Sequence, residues 1–220
     1  MPLLGSRGAA SVRGFGMFGG IPEPAPTVIG QAYGGGFYAG QISATGTGVA
    51  SHYLVISPKA VGESTSKQWK TSNTSTAGTG SVIAGPTNSS NMNNALHPAA
   101  QFCEGLTIGG HGDWYLPAVN ELEVIYYNLK PGVQLNDTLW GINTNAVPSR
   151  ISNYTTGTPA QTSVAAFQTG GSEALEALDY WSSSQFNSTN SWTVNFDTGT
   201  QNNYPKIISV CARAIRRVAI

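Results

Sequence analysis

Residues 111–122 read HGDWYLPAVNEL: large apolar side chains run into a proline, and the proline runs into a segment with helical spacing. A proline at the first helical position sacrifices no hydrogen bond, because that N–H has no intrahelical partner, and its fixed φ suits a helix. The spacing therefore predicts a helix starting at Pro117. Leu122, Ile125, Tyr126 and Leu129 recur at i, i+3, i+4 and i+7 as one apolar stripe, and Pro131-Gly132 ends it. Glu121, Glu123 and Asn128 fall off the stripe, the two acids in or near the first turn, where the helix dipole favours negative charge.

Around this helix the chain has little charge to spend. Eleven basic and eleven acidic residues cancel among 220, which removes the footprint expected of a nucleic-acid or anionic-membrane binder. No apolar run approaches the roughly 20 residues that span a bilayer. The opening MPLLGSRGAASVRGFG lacks the continuous apolar stretch of an export signal, so synthesis in a cytoplasm is expected. The 27 glycines and the many Ser, Thr and Asn residues suggest a turn-rich β frame with polar loops. Cys103 and Cys211 lie far apart, and two thiols without clustered histidines do not make a four-ligand zinc site. They are either bridged or both reduced and buried.

Residues 1–30 read as an extended arm. Their first 26 are rich in Gly, Ala and Pro and have no period. Either this segment stays unstructured, or Val12, Phe15, Met17 and Phe18 order on a neighbouring subunit, since such side chains are unusual in a permanently solvated tail. From residue 31, GGFYAGQIS and HYLVISPK read as a hairpin. Residues 61–94 form a long polar loop anchored by Trp69, Val82 and Ile83, and HPAAQFCEGL gives a second short helix with Pro98 in its first turn. A second loop-rich region spans about 131–171, with a helical turn or two expected at SEALEAL. The last quarter reads as strands: DYWSSSQF, SWTVNFDTGTQ and KIISVCARAIRRV. In SWTVNF, Trp192, Val194 and Phe196 alternate with Thr193 and Asn195, which predicts one buried face. The order is α+β, with mixed and antiparallel strands, two helices and long loops.

Four ordered blocks then resemble a known family. The pattern D-W-x-L-P-x-x-x-E-L, then Y-W-S-S, then a strand ending in R-x-x-R is carried by Asp113, Trp114, Leu116, Pro117, Glu121, Leu122, Tyr180, Trp181, Ser182, Ser183, Arg213 and Arg216. It is similar to the C-type-lectin-like domains of the Lcl C-terminal type, found in bacterial surface proteins and phage structural proteins. The resemblance covers residues 31–220 and implies a C-type-lectin-like fold in which terminal strands meet, two helices flank a sheet and large loops present a ligand surface. It also implies a non-enzymatic virion protein, a tail-fibre or tail-tip component that displays this domain to a host receptor. That protein would be homo-oligomeric, trimeric for preference, and would be seated among other virion proteins through its arm. The alternative is a capsid decoration or head-fibre protein without a receptor.

The residues themselves favour contact over catalysis. The Glu-Pro-Asn or Gln-Pro-Asp loop of calcium-dependent sugar binding is absent. The paired C-terminal cysteines of formylglycine-generating enzymes, which share the architecture, are also absent, and His52, His97 and His111 are isolated. No metal and no cofactor are expected. Trp114 and Trp181 read as core aromatics, and Asp113 and Glu121 as partners of loop N–H groups or of Arg213 and Arg216. The candidate ligand surface is Gln185, Phe186, Asn187 and Asn190, with Asn202, Asn203 and Tyr204 at a second turn. There amides offer donors and acceptors, and aromatic faces stack on sugar rings.

Overall fold

A computed structural model describes residues 23–220. Two five-stranded sheets carry the chain, and their pairing explains how its distant segments meet. The first contains β1 (Ala32–Tyr33), β2 (Gly36–Ile42), β3 (His52–Ile56), β5 (Ala146–Val147) and β10 (Ile215–Ala219). The predicted β2–β3 hairpin forms with Phe37 opposite Ile56 and Ile42 opposite His52. The last strand, β10, lies on the other side of β3, with Ile215 opposite Ile56 and Ala219 opposite His52. The second sheet runs in the order β4 (Glu63–Gln68), β9 (Ser209–Arg213), β6 (Asp179–Gln185), β7 (Asn190–Asn195) and β8 (Gln201–Pro205). All its pairings are antiparallel except β6 with β9.

The closing segment KIISVCARAIRRV, expected as one strand, changes sheets at Ala214. There Ser57 and Gly62 exchange hydrogen bonds with its backbone, and Ile215 pairs with Tyr115 through reciprocal N–H···O bonds of 2.8 and 3.0 Å. Helices are more numerous than the two expected: α1 (Lys59–Gly62), α2 (Gly85–Ser90), α3 (Pro98–Glu104) and α4 (Val119–Leu129), with a 3-10 turn at Ala165–Phe167. The region 61–94 is not one polar loop, since it supplies β4 and α2. Its Trp69 is fully buried, with Nε1 donating to the Ser182 carbonyl at 2.8 Å. SEALEAL forms no helix; Ala174 and Leu175 are nevertheless buried.

The aromatic run before Pro117 serves two core clusters at once. Extended backbone points alternate side chains to opposite faces, so Trp114 and Leu116 enter the cluster around Trp69, Trp181 and Cys103, while Tyr115 enters the cluster under α4. Pro117 does not open the helix; it precedes the cap, Ala118. The proline lacks an N–H, and its carbonyl accepts from Ser183 N at 2.7 Å. The first helical donors, which have no intrahelical partner, are taken up by other segments. Glu121 Oε2 accepts from Ala118 N at 2.7 Å, Ser184 Oγ from Val119 N at 3.1 Å and the Val82 carbonyl from Asn120 N at 3.0 Å. The Y-W-S-S block is therefore a partner of the helix start, with the serine after it providing the cap. Ser182 Oγ donates to the Trp192 carbonyl, and Ser183 Oγ is buried without a partner.

The predicted stripe Leu122, Ile125, Tyr126 and Leu129 is buried as expected, but Glu121 and Glu123 are fully buried too. Each is held by an arginine that the local pattern does not reveal. Glu121 Oε1 accepts from Tyr115 Oη at 2.5 Å and from Arg217 Nε at 2.6 Å. Glu123 is bound by Arg150, by Tyr154 Oη and by Asn143 Nδ2. Burial raises the Glu121 pKa against the opposing pull of Arg217. Burial also works against the Arg217 charge, but the facing carboxylate outweighs it and holds that guanidinium pKa above its usual value. Gly85 is glycine for space, because a Cβ there would lie 2.0 Å from Glu121 Oε2 and 2.6 Å from the Tyr115 ring.

The other signature charges also pair across the chain. Arg213 meets Glu63 and Glu173, each at 3.0 Å, and the Ser57 carbonyl. Arg216 meets Asp113 at 2.7 Å and the Gly34 carbonyl at 3.0 Å. Of the two states left open for Cys103 and Cys211, the structure has the reduced one: both thiols are free and buried, and they lie in different core clusters, so no bridge joins them. Burial pushes Cys211 up to about 12 and Cys103 higher still, which makes both inert at neutral pH. Among the described residues no helix is long and apolar enough to cross a membrane.

Removing one partner of a buried ion pair leaves the other charge uncompensated. Glu121→Ala is therefore expected to lower unfolding free energy by about 3–5 kcal/mol in urea titrations. Asp113→Ala, whose carboxylate is exposed, should cost about 1 kcal/mol.

Candidate ligand surface

The candidate residues fall on the β6–β7 turn and on β8, and the register separates them by face. Ser191 lies opposite Tyr204, Trp192 opposite Asn203 and Thr193 opposite Asn202. Asn202, Asn203 and Tyr204 are strand residues rather than a turn. Alternation puts Thr193, Asn195, Asn202 and Tyr204 on one face, converging on Asp179. Its carboxylate accepts from Thr193 Oγ1, Asn195 Nδ2 and Asn202 Nδ2 at 3.2 Å each and from Tyr204 Oη at 3.5 Å. Burial, and then the Asp179 charge, raise the Tyr204 pKa.

The opposite face carries Trp192, Val194, Asn190 and Asn203. Val194 is buried in the core, but Trp192 is only half-buried, so the expected wholly buried face opens into an aromatic ridge. Trp192 meets Phe186 edge-on at 4.7 Å and Trp140 at 6.3 Å between ring centroids. Phe186 is 47% exposed. Trp140 comes from the second loop region, and no local pattern assigns it to this surface. The alternation in SWTVNF is the signal that puts Trp192 on the Val194 face; how far that face stays covered depends on Trp140 and the turn.

The amides expected to meet a ligand are engaged within the protein. Asn187 Oδ1 accepts from Thr189 N at 2.9 Å and Asn190 N at 2.7 Å, and Asn190 Nδ2 donates to Asn203 Oδ1 at 2.9 Å. Gln185 Oε1 accepts from Thr76 N at 2.7 Å and from Lys206 Nζ at 2.6 Å. These bonds make a rigid turn that holds Phe186 outward.

Under the turn lies a cation cluster that the sequence does not announce. Lys206 is fully buried, with Nζ donating to the Thr74 and Ser188 carbonyls at 3.0 and 2.9 Å and standing 4.6 Å over the Trp69 ring. Lys70 Nζ reaches the Ser75 carbonyl at 2.8 Å and Thr76 Oγ1 at 3.0 Å. Thr76 Oγ1 in turn lies 2.9 Å from His97 Nε2, and His97 Nδ1 lies 2.9 Å from Asn94 Oδ1. One arrangement of protons satisfies the chain: Lys70 donates to Thr76, Thr76 donates to neutral His97 Nε2, and His97 Nδ1–H donates to Asn94. Burial, then Lys70, then Lys206 lower the His97 pKa to about 4. Burial and then Lys70 bring Lys206 down to about 8.

Arg213 and Arg216 are taken up by Glu63, Glu173 and Asp113 and make no hydrogen bond to the candidate surface residues. Val12, Phe15, Met17 and Phe18 lie outside the described residues. Among the described residues no group of three or more His, Cys, Asp and Glu side chains is placed to hold a metal ion.

Residues 61–216 match the family described as the Lcl C-terminal domain. The chain belongs to that family. The Lcl C-terminal match takes in every block of the sequence signature, and β1–β3 precede it. No curated protein matches the chain.

A group whose folded pKa lies below its unfolded value contributes stability above the unfolded pKa and loses it as pH falls. For His97 that window runs from about 6.5 down to about 4. Acidification through it is expected to lower stability by up to about 3 kcal/mol more in the parent protein than in His97→Gln. Urea midpoints of the two proteins, measured across the window, check this.

Proposed function

We propose that this Lcl C-terminal domain protein is a non-enzymatic structural component of a phage virion, a tail-fibre or tail-tip protein that contacts a host-surface glycan or protein receptor. The observation that carries the reading is the ridge of Trp140, Trp192 and Phe186, where a phenyl ring is held half-exposed by a turn braced by side-chain amide bonds within the protein. Keeping such a ring in water costs about 25 cal/mol for each Å² of apolar surface, and rigid exposed aromatics characterise contact sites. In this reading the fold is C-type-lectin-like. The protein is made in the host cytoplasm and assembles as a homo-oligomer, trimeric for preference, whose weak contacts add through effective concentration. Of the expected arm, residues 1–30, the part before Glu23 seats it among other virion proteins, since Ile29 packs against both core clusters and Gly30 N donates to the Tyr38 carbonyl at 2.8 Å.

Phe186→Ala should leave virion assembly normal and reduce adsorption to host cells about tenfold or more, a loss typical of an interface anchor. Unchanged adsorption by fully decorated particles would favour the alternative, a decoration or head-fibre role without a receptor. Deletion of residues 1–22, which spares the Glu23 carboxylate that accepts from Gly34 N, should give a folded protein absent from particles. Full occupancy would remove the arm from the proposal.

A further inference from the structure

We infer that a second surface, the cavity between Tyr127 of α4 and the loop 149–158, binds one neutral sugar unit. The cavity measures about 300 Å³ and opens to solvent, the small end of ligand pockets and suited to a single ring. Its frame is fixed. Asn143 and Arg150 pair across the loop base, Thr155 and Thr158 pair at its tip, Tyr154 N donates to the Trp140 carbonyl at 2.7 Å, and Tyr154 Oη is held by Glu123.

The polar groups of its rim are idle, unlike those of the β6–β7 turn. Among the described residues the side chains of Ser149, Ser152, Asn153, Thr155 and Thr158 make no hydrogen bond within the protein, although the backbones of Thr155 and Thr158 do. Elsewhere this chain uses such side chains to close its turns, as Asn187, Asn195 and Asn136 do. A concave wall of uncommitted hydroxyls and an amide offers both donors and acceptors, the complement of a ring bearing several hydroxyls. The half-buried Tyr127 and the exposed Ile151 supply apolar surface for sugar C–H groups, with the buried Tyr154 behind them in the lining.

Charge excludes an ionic ligand. The cavity has a single charged lining residue, Arg150, stacked 4.2 Å over the Tyr127 ring. Its guanidinium is already neutralised by the buried Glu123, so an anion would meet no net attraction there. Arg150 Nη2 is held by Glu123 and Nε is buried, which leaves Nη1 as the guanidinium nitrogen that is neither buried nor bonded to the protein. It can serve a sugar oxygen as readily as water. The site is separate from the Phe186 ridge, and the inference does not rest on the receptor reading.

The test is nuclear magnetic resonance titration of the full chain with glucose, galactose, mannose and N-acetylglucosamine in turn, and with glucuronate as the charged probe. At least one neutral sugar should shift the amides of Tyr127 and residues 149–158 saturably in the millimolar range. Ser152→Ala/Asn153→Ala should weaken that binding about tenfold without unfolding the protein, since neither side chain is engaged, and Phe186→Ala should leave it unchanged. The inference is overturned if no neutral sugar gives a saturable shift, if the shifts map to Phe186 or Tyr204, if the double variant titrates like the parent, or if glucuronate binds more tightly than every neutral sugar. Because no virion enters this measurement, its outcome and that of the adsorption assay are independent.

Discussion

One buried carboxylate ties the start of α4, the aromatic run before it and the last strand to a single point. Glu121 takes a hydrogen bond from the first backbone N–H of the α4 cap, a second from Tyr115 in the extended segment and a third, with charge, from Arg217 on the last strand. A carboxylate in that position is costly unless every lone pair is engaged, so the helix start, the aromatic run and β10 are constrained to one geometry. The close approach of Gly85 adds the start of α2 to the same constraint. Glu123, two residues on, repeats the device toward the loop that carries Arg150. The chain has few charges and places many of them inside, where they specify which distant segments meet.

The parts of this design set by local chemistry were legible in the sequence. The apolar stripe of α4, the stop at Pro131, the β2–β3 hairpin and Pro98 at the head of α3 all follow from periodicity and from the limits proline places on the backbone. The parts set by tertiary pairing were not. Glu121 reads as a partner of loop N–H groups or of Arg213 or Arg216, and Glu123 only as an acid near the first turn, because nothing within a few residues reveals Arg217 or Arg150. Trp69 read as a loop anchor and proved a core residue, since β4 forms only when β9 lies beside it. The break at Ala214 is invisible in a continuous β-prone run because the two sheets, and not the residue, require it.

The candidate surface was half legible for the same reason. Phe186 and the turn around it were found, but whether an amide faces a ligand or a neighbour depends on what is opposite, and here Gln185, Asn187, Asn190 and Asn203 face the protein. Read one side chain at a time, the polar loops of this chain look alike. Sorted by engagement, they divide into those that build the scaffold and those left for something else.

The strand order around β3 has a mechanical consequence. The chain enters β2 at Gly36, beside the Ile56–Ile215 end of the sheet, and leaves β10 at Ala219, beside His52 at the far end. Tension applied between the segment before β2 and the end of β10 is directed along the strands. The ladders on both sides of β3 then resist in shear, all rungs together, where the opposite polarity would let them peel one by one.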